Sequence, residues 1–158
     1  MEIEVIEGDL LDFPNNINVI AHSCNTMNVM GGGIAKQIRE AFPEAYEADC
    51  KAYRNKEAIL GKFSWCKLKS DPKKRIVNLY TQQRVGSGRQ VDYEGFYTCL
   101  SFLAKALQSS NFRSDYVLGI PFGISCGLAG GSWSIIESML SYVLSSCDFK
   151  SYIVKNVK

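Results

Sequence analysis

The 158-residue chain holds a single histidine, His22, and its six cysteines (Cys24, Cys50, Cys66, Cys99, Cys126 and Cys147) include no C-x-x-C pair. One imidazole and scattered thiols do not make the ligand spacing of a zinc site, so no metal is expected, and no cofactor motif is present. Widely spread thiols fit a reduced chain, and a cytoplasmic setting is expected. Charge of one sign is also lacking: eighteen Lys and Arg face sixteen Asp and Glu, a net of +2. Lys73, Lys74 and Arg75 after Pro72 read as a solvated turn, and macromolecular nucleic acid is not expected as a partner. No apolar run reaches membrane-spanning length, so no membrane partner is expected. Residues 1–7 alternate polar and apolar types as a strand does, without the basic start and apolar run of a signal peptide. The length suits one domain over 1–158 with its own core, expected to be monomeric.

Apolar periodicity orders the elements. Strands are predicted at 1–7, 17–21, 63–68, 76–80, 116–121 and 152–157, with the reversal Ser70-Asp71-Pro72 joining the third and fourth. Helices are predicted from near Gly33 to Phe42, over 45–55, from Tyr93 along Phe96, Leu100, Leu103 and Leu107, and over the stripe Ile135, Ile136, Met139, Leu140, Val143 and Leu144. Ser132 is placed to cap the last of these. Strands alternating with helices define an α/β sandwich whose helices cover both faces of a mostly parallel sheet.

Ligands of such sheets gather at the carboxyl ends of the strands, where this chain has two glycine-rich loops. The first follows Val19-Ile20-Ala21-His22-Ser23-Cys24-Asn25 and ends in Gly31-Gly32-Gly33 before Ile34 and Ala35. The second is Phe122-Gly123-Ile124-Ser125-Cys126-Gly127-Leu128-Ala129-Gly130-Gly131. Glycine lets main-chain N–H groups approach a ligand, and a helix N-terminus favours an anion there. Flexible connections beside a core histidine would read the same way from these segments alone. Asp9 at a strand end can accept a hydrogen bond from an amine or cap a turn. His22 is the candidate for proton transfer, because imidazole titrates near neutrality. Cys24 and Cys126 read as packing residues, and Gln82, Gln83 and Arg84, at the end of another central strand, read equally as lining of the same cleft or as a solvated loop. Phe122, Tyr93 and Tyr152 are candidates for stacking, although Tyr93 also begins an apolar stripe.

Gly8-Asp9-Leu10, the His22-Ser23-Cys24-Asn25 segment with its triple glycine, and Ile124 to Gly131 occur in the order seen in macrodomains, and over nearly its full length the chain resembles that ADP-ribose-binding family. The resemblance implies a three-layer α/β/α sandwich with a mixed, mostly parallel central sheet. It implies that Asp9, beside Leu10, accepts from the adenine amino group. Ser23, Gly31, Gly32, Gly33 and Ile34 would hold the distal ribose, and Gly123, Ile124, Ser125, Cys126, Gly127, Leu128 and Ala129 the diphosphate. The His-Ser-Cys-Asn combination is most similar to the ADP-ribose-1''-phosphate phosphatase subgroup, which makes His22 the acid/base and Asn25 the residue that positions the ribose. ADP-ribose or ADP-ribose-1''-phosphate would be the ligand, turned over without a metal. Two readings stay open beside this one: a non-catalytic module that binds ADP-ribose, and a hydrolase that removes ADP-ribose from modified targets. The hydrolase subgroup that uses a lysine and an aspartate matches less well, since those positions correspond to Gln82 and Ala129.

Overall fold

The computed structural model describes residues 3–157; Met1, Glu2 and Lys158, including the start of the first predicted strand, lie outside the described residues. The chain order is β1 (Ile3–Glu7), β2 (Val19–Asn25), α1 (Gly33–Ala41), α2 (Pro43–Arg54), β3 (Phe63–Lys67), β4 (Arg75–Gln82), α3 (Tyr93–Gln108), β5 (Val117–Pro121), α4 (Trp133–Leu144) and β6 (Lys150–Lys155). One sheet runs in the order β1-β6-β5-β2-β4-β3. Only β3, hydrogen-bonded to β4 at the edge, is antiparallel; the other pairs are parallel.

Two cores hold the layers together. On one face, Phe96, Leu100 and Leu103 of α3 and Ile136 and Leu140 of α4 pack on Val19, Ala21, Val77, Leu79 and Leu118. On the other, Ile38 of α1 and Ala45 and Ala52 of α2 pack with Ile20, Cys24, Ile76 and Tyr80. Strand alternation explains the division: successive residues of β2 go to opposite faces. Gly119 in β5 makes room for it to close, since a Cβ there would stand 2.8 Å from Ile17 Cδ1 and 2.9 Å from Leu10 Cδ1.

The helices fall where periodicity puts them, but β2 does not end at residue 21. It continues to Asn25, because β4 supplies parallel partners as far as His22↔Asn78 and Cys24↔Tyr80. His22 therefore sits inside a strand and not in the loop after it. Ser132 stands at the N-cap of α4, yet its hydroxyl pairs with Ser134 at 3.1 Å and makes no capping bond. Among the described residues, no two cysteines form a disulfide. Among the described residues, no helix is long and apolar enough to cross a membrane.

Candidate functional site

The five parallel strands end at one edge of the sheet, and each delivers residues to one cleft of about 630 Å³. Asp9 and Leu10 follow β1; Ser23, Cys24 and Asn25 end β2; Gln82 ends β4; Pro121 ends β5; Val154 lies in β6 and Asn156 follows it. Its volume lies in the range of small-molecule sites. The cleft opens where β2 and β5 part. Their register covers only Val19↔Leu118 and Ile20↔Gly119, after which β2 follows β4 and β5 follows β6. Beyond that point the Ser23 and Ser125 hydroxyls meet at 2.5 Å.

The two glycine loops form facing walls. Gly31, Gly32, Gly33 and Ile34 lie on one side, and Gly123, Ile124, Ser125, Gly127, Leu128 and Ala129 on the other. They touch at Leu128: a Cβ on Gly32 would stand 2.8 Å from Leu128 Cδ1. Among the described residues, the N–H groups of Ser125, Gly127, Leu128 and Ala129 donate to no protein group, and neither do those of Gly31 and Gly32. Unpaired N–H groups gathered at a cleft, beside the N-terminus of α1, form a site for anionic oxygens. The second loop is braced from behind, since Gln90 and Val91 both donate to the Ala129 carbonyl (2.8 and 3.1 Å) and Gly131 donates to the Ser125 carbonyl (2.8 Å). Ser125 holds a left-handed φ of 63° within this frame.

Asp9 lines the cleft and also accepts from Leu11 N–H at 3.0 Å, so the turn-cap and ligand readings coexist in one carboxylate. Asn25 is nearly used up by its own loop. Its Oδ1 takes the N–H groups of Met27 (2.9 Å) and Val29 (3.4 Å), and its Nδ2 donates to the Val29 carbonyl (2.8 Å). An asparagine has two amide hydrogens, so one remains for a ligand.

Cys126 and His22, both assigned to the site from sequence, do not line the cleft. Cys126 packs instead against the α3/α4 core, where burial pushes its thiol up from the ordinary range. His22 is completely buried on the α1/α2 face. Its Nε2 lies 2.7 Å from Asn78 Oδ1, and Asn78 Nδ2 in turn donates to the Ala45 carbonyl (3.1 Å) and to Ser64 Oγ (3.0 Å). A carbonyl can only accept, so it fixes the Asn78 amide and leaves Oδ1 facing His22, which must then carry its proton on Nε2. Desolvation brings the imidazole pKa from 6.5 down to about 4, opposed only in part by the Asn78 bond. The sequence expectation put this ring at the cleft, and the structure places it beneath the cleft wall. The ring is held neutral inside the core, with its Nε2–H committed to Asn78.

Its neighbour Cys24, with Sγ 3.8 Å from Nδ1, lines the cleft but is pushed well up by burial, followed by the charge of Asp49. It is a thiol and not a thiolate nucleophile. Of the candidate aromatics, Phe122 alone lines the cleft, tilted against Trp133 at 4.7 Å with the Lys155 ammonium 5.2 Å from its centroid. Tyr152 is buried, and the Tyr93 hydroxyl accepts from Ser132 N–H. Gln82 lines the cleft, whereas Gln83 and Arg84 do not.

Sequence reasoning missed Val85, Gly86 and Asn156 as lining residues, and missed a polar network under β2 and β4. Tyr80 Oη donates to buried Asp49 (2.7 Å) and meets Ser64 Oγ (2.8 Å), while Asp49 accepts from Asn28 Nδ2 (2.9 Å). This chain ties the first glycine loop to α2. Asn78→Ala would strand the His22 N–H and open a void, and should lower unfolding free energy by about 2–3 kcal/mol in urea melts.

A three-layer sandwich with glycine loops facing across the carboxyl ends of a parallel sheet defines an α/β small-molecule-binding module. The Macro domain profile matches residues 21–140, and the chain belongs to the macrodomain family. It is 30% identical over 142 residues to a 17.5 kDa protein of the tk-vs intergenic region of Enterobacteria phage T4, covering 89% of this chain and 88% of that one. It is 29% identical over 164 residues to the ADP-ribose 1''-phosphate phosphatase of Lodderomyces elongisporus, covering 98% and 99%. The macrodomain of Mycobacterium tuberculosis DarG superposes with a TM-score of 0.81 at 23% identity, over 97% of this chain and 96% of that one.

Proposed function

We propose that the cleft binds ADP-ribose and that the protein hydrolyses ADP-ribose-1''-phosphate to ADP-ribose and phosphate. One observation carries the binding: two facing loops present unpaired N–H groups to the same 630 Å³ cleft. The second loop supplies the donors a diphosphate needs, the remaining Asn25 amide hydrogen serves a ribose hydroxyl, and Asp9 takes an exocyclic amine. A terminal phosphate then falls to Gly31 and Gly32 at the start of α1, where the helix dipole favours negative charge. The phosphatase step is supported by the full-length similarity to a protein of that name.

With His22 neutral and walled off, the reaction proposed for this cleft relies on N–H groups that stabilise charge developing on the phosphoryl oxygens. Gln82 and Ala129 line the cleft where the lysine and aspartate of the hydrolase subgroup would stand, which disfavours that chemistry here.

Incubating the purified protein with ADP-ribose-1''-phosphate in chelator and measuring released phosphate is the direct test. Turnover that persists in chelator supports the phosphatase reading. No turnover together with tight ADP-ribose binding in calorimetry would reassign the protein as a binding module, and absence of both would remove the proposal.

A further inference from the structure

The balanced charge of the whole chain hides a local excess. Residues 62–75 carry Lys62, Lys67, Lys69, Lys73, Lys74 and Arg75 against the single acid Asp71, a net of +5 in a chain whose total is +2. The fold sets this stretch on the β3–β4 edge. Antiparallel register puts Lys67 opposite Arg75 and Trp65 opposite Val77, so alternation brings Trp65, Lys67 and Arg75 to one face. Trp65 is 49% exposed. The Arg75 guanidinium lies between two rings, 5.4 Å from that of Trp65 and 5.6 Å from that of Tyr116, and donates to Tyr116 Oη at 3.1 Å. Its buried Nε has no partner. Lys69 pairs with Glu47 and Lys74 with Asp71, but among the described residues Lys67, Lys73 and Arg75 make no ion pair.

An indole left half in water beside uncompensated cations combines the two elements of single-strand recognition, a stacking platform and a positive track. We propose that this edge binds single-stranded nucleic acid, one base stacking on Trp65 and the backbone phosphates lying along Lys67, Lys73 and Arg75. Lys67 and Arg75 share the face of Trp65, and that positive charge favours a phosphate backbone as the occupant. A flat indole face beside a guanidinium held by rings suits a base better than an acidic peptide. The surface is separate from the cleft: Arg75 begins β4 and Gln82 ends it, about 23 Å away at the usual rise per residue. The proposal departs from the expectation drawn from total charge, because a sum over the chain cannot register where the charges lie.

The test is fluorescence anisotropy of the full chain with a labelled oligo-dT of about 20 nucleotides. At about 50 mM salt, micromolar binding is expected, with log K falling against log salt with a slope of roughly −2 to −3, as for three or four phosphate contacts. Trp65→Ala should weaken binding about tenfold. Lys67→Glu with Lys73→Glu, at two exposed lysines, should weaken it at least as much, and decides the matter should the Trp65 variant fail to fold. Neither change should alter ADP-ribose affinity, measured separately by calorimetry. Absence of binding at low salt, or binding indifferent to the double charge reversal, would overturn the proposal. So would displacement of the oligonucleotide by polyglutamate at equal charge, or equally tight binding of a duplex of the same length.

Discussion

Gly130→Val should weaken ADP-ribose binding by roughly 30- to 150-fold while the protein stays folded. Gly130 has a φ of 71°, a conformation that β-branched residues resist, and its Cβ would stand 2.8 Å from the Gly88 carbonyl oxygen and 3.0 Å from Arg89 Cα. Both obstacles are backbone, so a rotamer change cannot relieve them. The 88–91 segment is itself fixed to the loop, because Gln90 and Val91 donate to the Ala129 carbonyl. Something must move, and what moves is the wall that carries the unpaired N–H groups of Gly127, Leu128 and Ala129. Strain of this kind costs on the order of 2–3 kcal/mol. Because Gly130 is exposed and outside both cores, most of the effect should appear in calorimetric affinity and little in the melting temperature. An affinity within threefold of the parent would show that the second loop does not position the ligand. Gly32→Ala makes a useful contrast, since its Cβ meets only the tip of the 74% exposed Leu128 side chain, which can swing away.

The second large effect is on stability. His22 has a pKa near 4 in the folded protein and near 6.5 once unfolded and solvated, so the unfolded chain binds the proton more readily. The contribution is fully present above pH 6.5 and is lost as the pH falls toward 4, in total about 3 kcal/mol. Denaturant titrations should show unfolding free energy falling by about 1.4 kcal/mol per pH unit below 6.5, before most carboxylates begin to titrate. The imidazole proton resonances of the native state should stay constant across the same interval. Replacing His22 with Leu should lower stability at pH 7, because Asn78 loses its partner, but should flatten the profile between pH 6.5 and 5. A native imidazole that titrates near 6.5 would instead restore His22 as an accessible group and reopen its part in proton transfer.

The two expectations differ in what the sequence could disclose. The glycine loops and Asp9 were legible because their chemistry is local: glycine runs after apolar strands fall at the carboxyl ends of a parallel sheet in any fold of this type. Helices α3 and α4 were legible from their apolar stripes for the same reason. The placement of His22 was misread because it depends on where β2 stops, and that depends on β4, which lies more than fifty residues further along the chain. Once the strand is known to run to Asn25, alternation alone sends His22 inward with Ile20 and Cys24 and sends Ser23 toward Ser125. Asp49, Tyr80 and Asn78 were invisible as a group, since only the docking of α2 over β4 brings them within hydrogen-bonding distance. Cys126 shows the converse: it lies in a loop correctly placed at the cleft, but the loop's turns direct that one side chain toward the core.

The short register between β2 and β5 gives the sheet a seam. On one side lie β1, β6 and β5, on the other β2, β4 and β3, and the two triplets share a ladder only at their amino-terminal ends. Toward the carboxyl ends, the Ser23–Ser125 hydroxyl pair bridges them. That pair can be exchanged for bonds to water or ligand, while the Gln90 and Val91 bonds to the Ala129 carbonyl and the two cores keep the triplets together. The seam therefore lets the Ser23 and Ser125 hydroxyls turn from each other to a guest without the loss of any interstrand backbone bond.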